Sequence, residues 1–134
     1  LMLNLMATAA PSAFHQAEWL SAGYLLDFLR NQLIQIMYQR IGLRFSKRIK
    51  HLSVVLPPNF QADLTSTYPR PGESSLDPKA LAAAILRTLQ AVRKHLHTLS
   101  DTAGGGFNTV WFDRMYQNTE CELLRLYPKH STDS

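Results

Sequence analysis

The chain has 134 residues, 46% of them apolar, which is enough for one continuous core and too short for two domains of ordinary size. Charged residues make up 18%, below the roughly 25% typical of soluble domains, so apolar surface is expected to remain for a partner. The net charge of +4 permits an acidic protein, a membrane surface or a nucleic acid as partner without selecting among them. The single cysteine, Cys121, excludes an internal disulfide framework and a cysteine-based zinc cluster; a reducing compartment, nuclear or cytoplasmic, is expected. Leu1 to Ala10 is apolar but lacks a basic n-region, and no run approaches the ~20 apolar residues that span a bilayer, so no membrane span is expected.

From Ala13 to Ile41, the residues Trp19, Leu20, Leu26, Leu29, Leu33, Ile34, Ile36, Met37 and Ile41 recur at helical spacing without an internal proline. This predicts one long helix, started by Pro11 or Ser12 and stopped or kinked at Gly42. Tyr24, Leu25 and Phe28 widen its apolar stripe, so cover on more than one side is expected. Next, Ile41, Phe45, Ile49 and Leu52 share a helical face with Arg40, Arg44, Lys47 and Arg48 beside it, the pattern of a basic amphipathic helix. Ser53 to Leu56 reads as a short strand or extended exit, and Pro57-Pro58 closes the segment. Residues 59–76 hold Pro69, Pro71 and Gly72 among serines and threonines and are expected to form a flexible loop inside a single domain, 1–134.

Asp77 and Pro78 start a second strong helix, the aspartate as N-cap and the proline in the first turn. Leu81, Ile85, Leu89, Val92, Leu96 and Leu99 make one apolar stripe, and the alanines between Leu81 and Ile85 allow close approach of a neighbouring helix. Ser100, Asp101 and the glycines Gly104 to Gly106 end it, with residues 103–106 as a glycine-rich link. Asn108 can cap a last helical stretch through Tyr127, while Thr119 and Glu122 match the capping-box spacing of a separate start. The expected fold is therefore mostly α: the long helix plus two or three further helices.

Chemistry is sparse along this chain. His95 and His97 are two apart on a predicted helix and point about 200° apart, so they cannot chelate one ion and read as surface histidines. No metal and no cofactor are expected, since Gly104–Gly106 lacks the Gly-Lys-Ser/Thr of a phosphate-cradling loop. Cys121 lies between Glu120 and Glu122, whose charge opposes thiolate formation, and no serine sits in a nucleophile elbow, so no catalytic residue is expected. Arg44, Lys47 and Arg48 are candidates for contact with a partner, by the alternative reading the phosphates of a nucleic acid. The aromatic run from Phe107 to Tyr116 supplies a second candidate surface through Trp111, Phe112 and Tyr116, with core closure as the competing use of those rings.

Ile36-Met-Tyr-Gln-Arg40 at the end of a long apolar helix, followed by Leu43, Phe45 and Lys50-His-Leu-Ser-Val-Val-Leu56, resembles the first helix and exit of HORMA domains. The similarity spans Tyr24 to Leu99, with Pro78 to Leu99 as the later amphipathic helix. The proline usual after the family's first helix is absent, and its glycine is displaced by one position to Gly42. The resemblance implies an α+β fold with a small sheet, a non-enzymatic adaptor role in checkpoint control, and another HORMA protein as partner. Without it, the sequence reads as an all-α subunit of a multiprotein complex. Either way it is expected to bind protein rather than catalyse.

Overall fold

A computed structural model describes residues 19–42, 56–68, 77–102 and 109–127. Four helices occupy nearly all of them: α1 (Trp19–Arg40), α2 (Pro58–Thr65), α3 (Pro78–Thr102) and α4 (Val110–Leu126). The mostly α expectation holds, and no strand occurs among the described residues.

α1 is apolar around most of its circumference because it is covered from several directions. Leu25, Leu26, Leu29, Leu33 and Met37 are buried on one side, and Ile34, Ile36 and Tyr38 extend the buried surface well beyond a single stripe. The helix stops where the sequence places a glycine: Gly42 has φ +75°, and its N–H donates to the Gln39 carbonyl at 3.2 Å. A left-handed residue at this position satisfies carbonyls that the helix end would otherwise leave unpaired, and glycine adopts that conformation without a Cβ penalty.

α3 begins as its first residues dictate. The Asp77 carboxylate accepts from the Ala80 N–H at 3.1 Å, and the Asp77 carbonyl accepts from Leu81 N–H at 2.8 Å. Ala82 and Ala84 are buried between Leu81 and Ile85, and α3 packs more extensively on α1 than on any other element. The helix runs through Ser100 and Asp101 to Thr102, within the stretch from Ser100 to Gly106 expected to end it. Ser100 is itself buried.

α4 is one uninterrupted helix rather than two. Thr119 is buried and directs its hydroxyl to the Met115 sulfur at 3.6 Å, so it packs inside the helix and caps no new one. Phe112, Met115, Tyr116, Thr119 and Leu123 form its inward stripe. Thr109 stands at the N-cap position without a side-chain cap bond; Asn108, expected there, lies outside the described residues.

The expected loop over residues 59–76 is corrected in its first half. Pro57 and Pro58 open α2: Pro58 occupies the first turn, where its missing N–H has no helical partner to lose. Phe60 and Leu64, one turn apart, are the buried face. The extended exit expected over Ser53 to Leu56 falls outside the described residues except for Leu56, which is buried in a bend.

Side-chain contacts fix the direction of each helix. Arg40 near the end of α1 meets His95 near the end of α3, while Arg30 and Arg87, further back on the same two helices, both reach the residues that follow α2. α1 and α3 therefore run the same way, and α2 runs back across their seam. α4 also runs back along α3: Asp113 in its first turn meets Arg93 and His97, and Tyr127 at its end lies in the field of Asp77 at the start of α3. The result is an up-down-up-down helical arrangement in which α3 touches all three other helices.

Ile85 and Leu89 are wholly buried at the centre of the α1–α3 seam. Ile85→Ala and Leu89→Ala are each expected to cost about 2 to 5 kcal/mol through lost transfer energy and the cavity left behind. Denaturant titration checks this; unchanged midpoints for both variants would place that face outside the core.

Candidate functional site

Of the residues singled out as contacts for a partner, Trp111 is 41% exposed, with its ring edge-on to Phe112 at 6.0 Å between centroids. Phe112 and Tyr116, expected beside it at an interface, are instead buried against the rest of the bundle. The helical period gives the reason: positions 112 and 116 lie on the inward stripe of α4 with Met115, whereas 111 is turned about 100° away. Closing this seam with rings contributes about 1.5 to 3 kcal/mol for each fully buried aromatic, a gain the small core takes. Arg44, Lys47 and Arg48 lie outside the described residues.

Other exposed apolar side chains emerge from the fold. Leu20 (80% exposed) and Tyr24 (65%) are one turn apart on α1 and so adjoin on one helix face. Val110 (57%) precedes Trp111 at the start of α4. Among the described residues most other large apolar side chains are buried, Tyr68 beside Arg30 being a further exposed one.

Polar chemistry concentrates where α2 crosses the α1–α3 seam. His95, expected at the surface, has a fully buried side chain. It falls three residues after Val92 on the inner stripe of α3, so the apolar spacing already placed it inward. Arg40 Nη1 donates to His95 Nδ1 at 2.7 Å, and Asp63 Oδ2 lies 2.8 Å from His95 Nε2. A guanidinium has no acceptor, so Nδ1 must accept and the proton must sit on Nε2, which donates to Asp63. Lys94 Nζ donates to the same Asp63 oxygen at 3.0 Å. The Phe60 ring fills the angle between these groups, with the Arg40 guanidinium 4.5 Å from its centroid and the His95 ring edge-on at 4.7 Å.

Electrostatics agree with this proton assignment. Burial pushes the His95 imidazole below its ordinary value, and the charges of Arg40 and Lys94 add to the effect against the pull of Asp63. Burial acts to raise the Asp63 carboxyl, but hydrogen bonds from Lys94 and His95 and the charge of Lys94 outweigh it and hold the group below the usual carboxylate range. The neutral histidine and ionised aspartate are thus the resting pair.

The turn after α2 is held by two arginines. Arg30 Nε donates to Thr67 Oγ1 at 2.9 Å and Nη2 to the Thr67 carbonyl at 3.0 Å, while Nη1 pairs with Asp27 at 2.9 Å. The Tyr68 ring covers the guanidinium at 3.8 Å. From α3, Arg87 Nε donates to the Ser66 carbonyl at 2.6 Å and Nη2 to that of Tyr68 at 3.3 Å. Cations at a helix C-terminus satisfy its orphan carbonyls and complement its dipole.

On the outer face of α3, between α2 and α4, Gln90, Arg93, Lys94 and His97 line a depression of about 290 Å³. Asp113 accepts from Arg93 Nε at 2.9 Å and sits 2.9 Å from His97 Nε2, as Asp63 takes Lys94 from the opposite wall. Desolvation acts to raise Asp113, but His97 and Arg93 hold it below the ordinary carboxylate value. The basic side chains are therefore matched by carboxylates, and the depression is close to neutral. His95 and His97 turn to different aspartates on different helices, in keeping with their two-residue spacing. Among the described residues, no group of three His, Cys, Asp or Glu side chains is placed to hold a metal ion. Cys121 is exposed on α4.

No protein-family model matches the chain, and no curated protein or solved structure is significantly similar to it. Among the described residues, no helix is long and apolar enough to cross a membrane.

Because the Arg30 side chain is largely buried and satisfies both the hydroxyl and carbonyl of Thr67, Arg30→Met is expected to destabilise the protein by about 1 to 3 kcal/mol. Arg30→Lys should recover only part of the loss, since an ammonium cannot reproduce the planar fork. Thermal melting of both variants checks this, and parent-like melting of Arg30→Met would remove the guanidinium from the contacts that hold α2.

Proposed function

We propose that this chain is a non-enzymatic protein-interaction module, a subunit or adaptor of a multiprotein assembly acting in the nucleus or cytoplasm. The observation that carries the reading is the exposure of Leu20 and Tyr24 on one face of α1 and of Val110 and Trp111 at the start of α4. Exposed apolar groups that adjoin on one helix face, as Leu20 and Tyr24 do one turn apart, mark association surfaces. Tryptophan and tyrosine, moreover, are frequent energetic centres of such contacts.

The disposition of titratable groups supports the non-enzymatic part. His95 is sealed from solvent, His97 is tied to Asp113, and the exposed thiol of Cys121 stands on a helix between Glu120 and Glu122. A reacting group needs both access and a partner that activates it. The finer form of the proposal is a HORMA-like checkpoint adaptor that recognises another HORMA protein; it rests on the resemblance carried by Ile36 to Arg40 and Lys50 to Leu56. A small sheet would then have to come from residues outside those described. For nucleic acid, the alternative, Arg30, Arg40, Arg93 and Lys94 offer no support, since all four are engaged with acceptors of the protein itself.

Affinity capture with the intact chain, followed by titration of the captured partner, tests the reading. Trp111→Ala is expected to weaken binding by more than about 2 kcal/mol while leaving the melting temperature nearly unchanged. Loss of binding only in step with unfolding would make Trp111 a structural residue. Glutamate in place of Arg44, Lys47 and Arg48, which the sequence sets beside the apolar positions of an expected amphipathic helix, is expected to leave the fold intact. Binding of nucleic acid that weakens steeply with salt and disappears in that triple variant would favour the alternative instead.

A further inference from the structure

We propose that Arg40 and His95 form a proton-sensitive pin between α1 and α3, in which a second proton on the imidazole expels the Arg40 guanidinium to solvent while Asp63 keeps its hold on the ring. The geometry supplies the reason. Arg40 can only donate, so its 2.7 Å contact requires a lone pair on His95 Nδ1. An imidazolium has N–H groups at both positions, and turning the ring over exchanges one donor for another. No ring orientation of charged His95 therefore keeps the Arg40 bond.

The two partners of the ring respond in opposite ways. Nε2 faces Asp63, and a positive ring makes that bond charge-assisted and stronger. Toward Arg40 the same charge sets two cations and two donors face to face. The charged groups facing His95 among the described residues are Arg40 from α1, Asp63 from α2 and Lys94 from α3 itself; α4 directs Asp113 to Arg93 and His97 instead. Lys94 is exposed and reaches Asp63 rather than the ring, so the clash falls on Arg40.

Arg40 is free to leave. It is the last residue of α1 and only half-buried, and its flexible stem can turn to water without displacing the helix. Its departure opens Nδ1–H to water, the acceptor that the sealed ring otherwise lacks. Phe60 gives up the guanidinium over its face but stays edge-on to His95. α2 keeps its place, because Asp63 is gripped more firmly and the turn beyond it stays on Arg30 and Arg87, whose guanidinium bonds persist at acid pH. The apolar seam around Ile85 and Leu89 carries no proton, so α1 and α3 remain packed while losing this polar tie.

In the pinned form, burial and the charges of Arg40 and Lys94 hold His95 below its ordinary value of 6.5 against the pull of Asp63. The released form, rid of one of those cations, takes up the proton more readily, so the pin is complete at high pH and gives way as pH falls. Asp63, lowered beneath its ordinary value of 3.8, is still ionised there. A free guanidinium is thus presented at the end of α1 only in acid. This device is independent of the interaction reading.

Side-chain NMR of the intact chain between about pH 8 and about pH 5 reads the pin directly. Near neutral pH the imidazole nitrogen shifts should show a neutral ring protonated on Nε2. The Arg40 guanidinium protons should then exchange with water more slowly than those of exposed Arg114. On acidification Arg40 should lose that protection, its exchange converging on that of Arg114 with the same midpoint as the His95 titration. Arg30, bound to Thr67, and the amides of α2 should keep theirs. In Arg40→Gln the His95 midpoint should move to higher pH, since one cation is gone. The pin is overturned by a ring that stays neutral down to about pH 5, by a proton on Nδ1 near neutral pH, or by Arg40 protection that persists beside a charged ring. Opening of α2 in step with the titration, or an unmoved midpoint in Arg40→Gln, overturns it as well. All but the last of these are read on the parent protein and do not need the variant to fold.

Discussion

The imidazole of His95 can satisfy both of its nitrogens only because three helices meet around it. Arg40 arrives from α1, Asp63 from α2, and the ring itself stands on α3. Removing water from a polar ring demands a partner for each nitrogen, and here each partner has a single role: the guanidinium donates and the carboxylate accepts. That division fixes the tautomer, and the contacts hold Asp63 of α2 level with Arg40 and His95 on the seam. The alignment of Arg40 with His95 also fixes how far along α1 the second half of α3 packs.

An eight-residue helix has little stability of its own, since the cost of nucleating it is spread over few hydrogen bonds. α2 persists because the core and two polar anchors hold it at different points. Phe60 and Leu64 supply the apolar contact, Asp63 is fixed to His95 and Lys94, and the turn beyond Leu64 is gripped by Arg30 and Arg87. The two anchors differ in chemistry, one built around a histidine and the other around arginines alone.

Aromatic side chains on α4 are divided by one turn of helix. Phe112 and Tyr116 close the seam against α3, with the Tyr116 hydroxyl donating to Glu120 at 2.6 Å and the Arg93 guanidinium 5.4 Å from its ring. Burial raises the Tyr116 phenol above its ordinary value, with Glu120 acting the same way, so it remains a donor at physiological pH. Trp111 stands half-exposed beside them, its ring edge-on to Phe112. The same sequence run thus contributes both to the core and to the exposed surface on which the interaction proposal rests.

Local chemistry determined much of this protein from sequence alone. The 3.6-residue spacing of apolar groups gave α1 and α3, Asp77-Pro78 gave the start of α3, and Gly42 gave the end of α1, because each signal acts within a few residues. The spacing of His95 and His97 also announced that they face different ways. α2 was hidden because Pro57-Pro58 ends one segment and opens another with equal ease, and a buried face of only Phe60 and Leu64 is too short to show a period. Continuity through Thr119 was decided by burial, since a threonine that can cap can equally pack inside a helix. The polar core was the least legible part: Arg40 and His95 are 55 residues apart, and His95 and Asp63 are 32 apart. Charge and hydrogen-bonding type are visible in each residue, but whether a guanidinium, an imidazole and a carboxylate meet out of water depends on how three helices pack, and only the tertiary structure decides that.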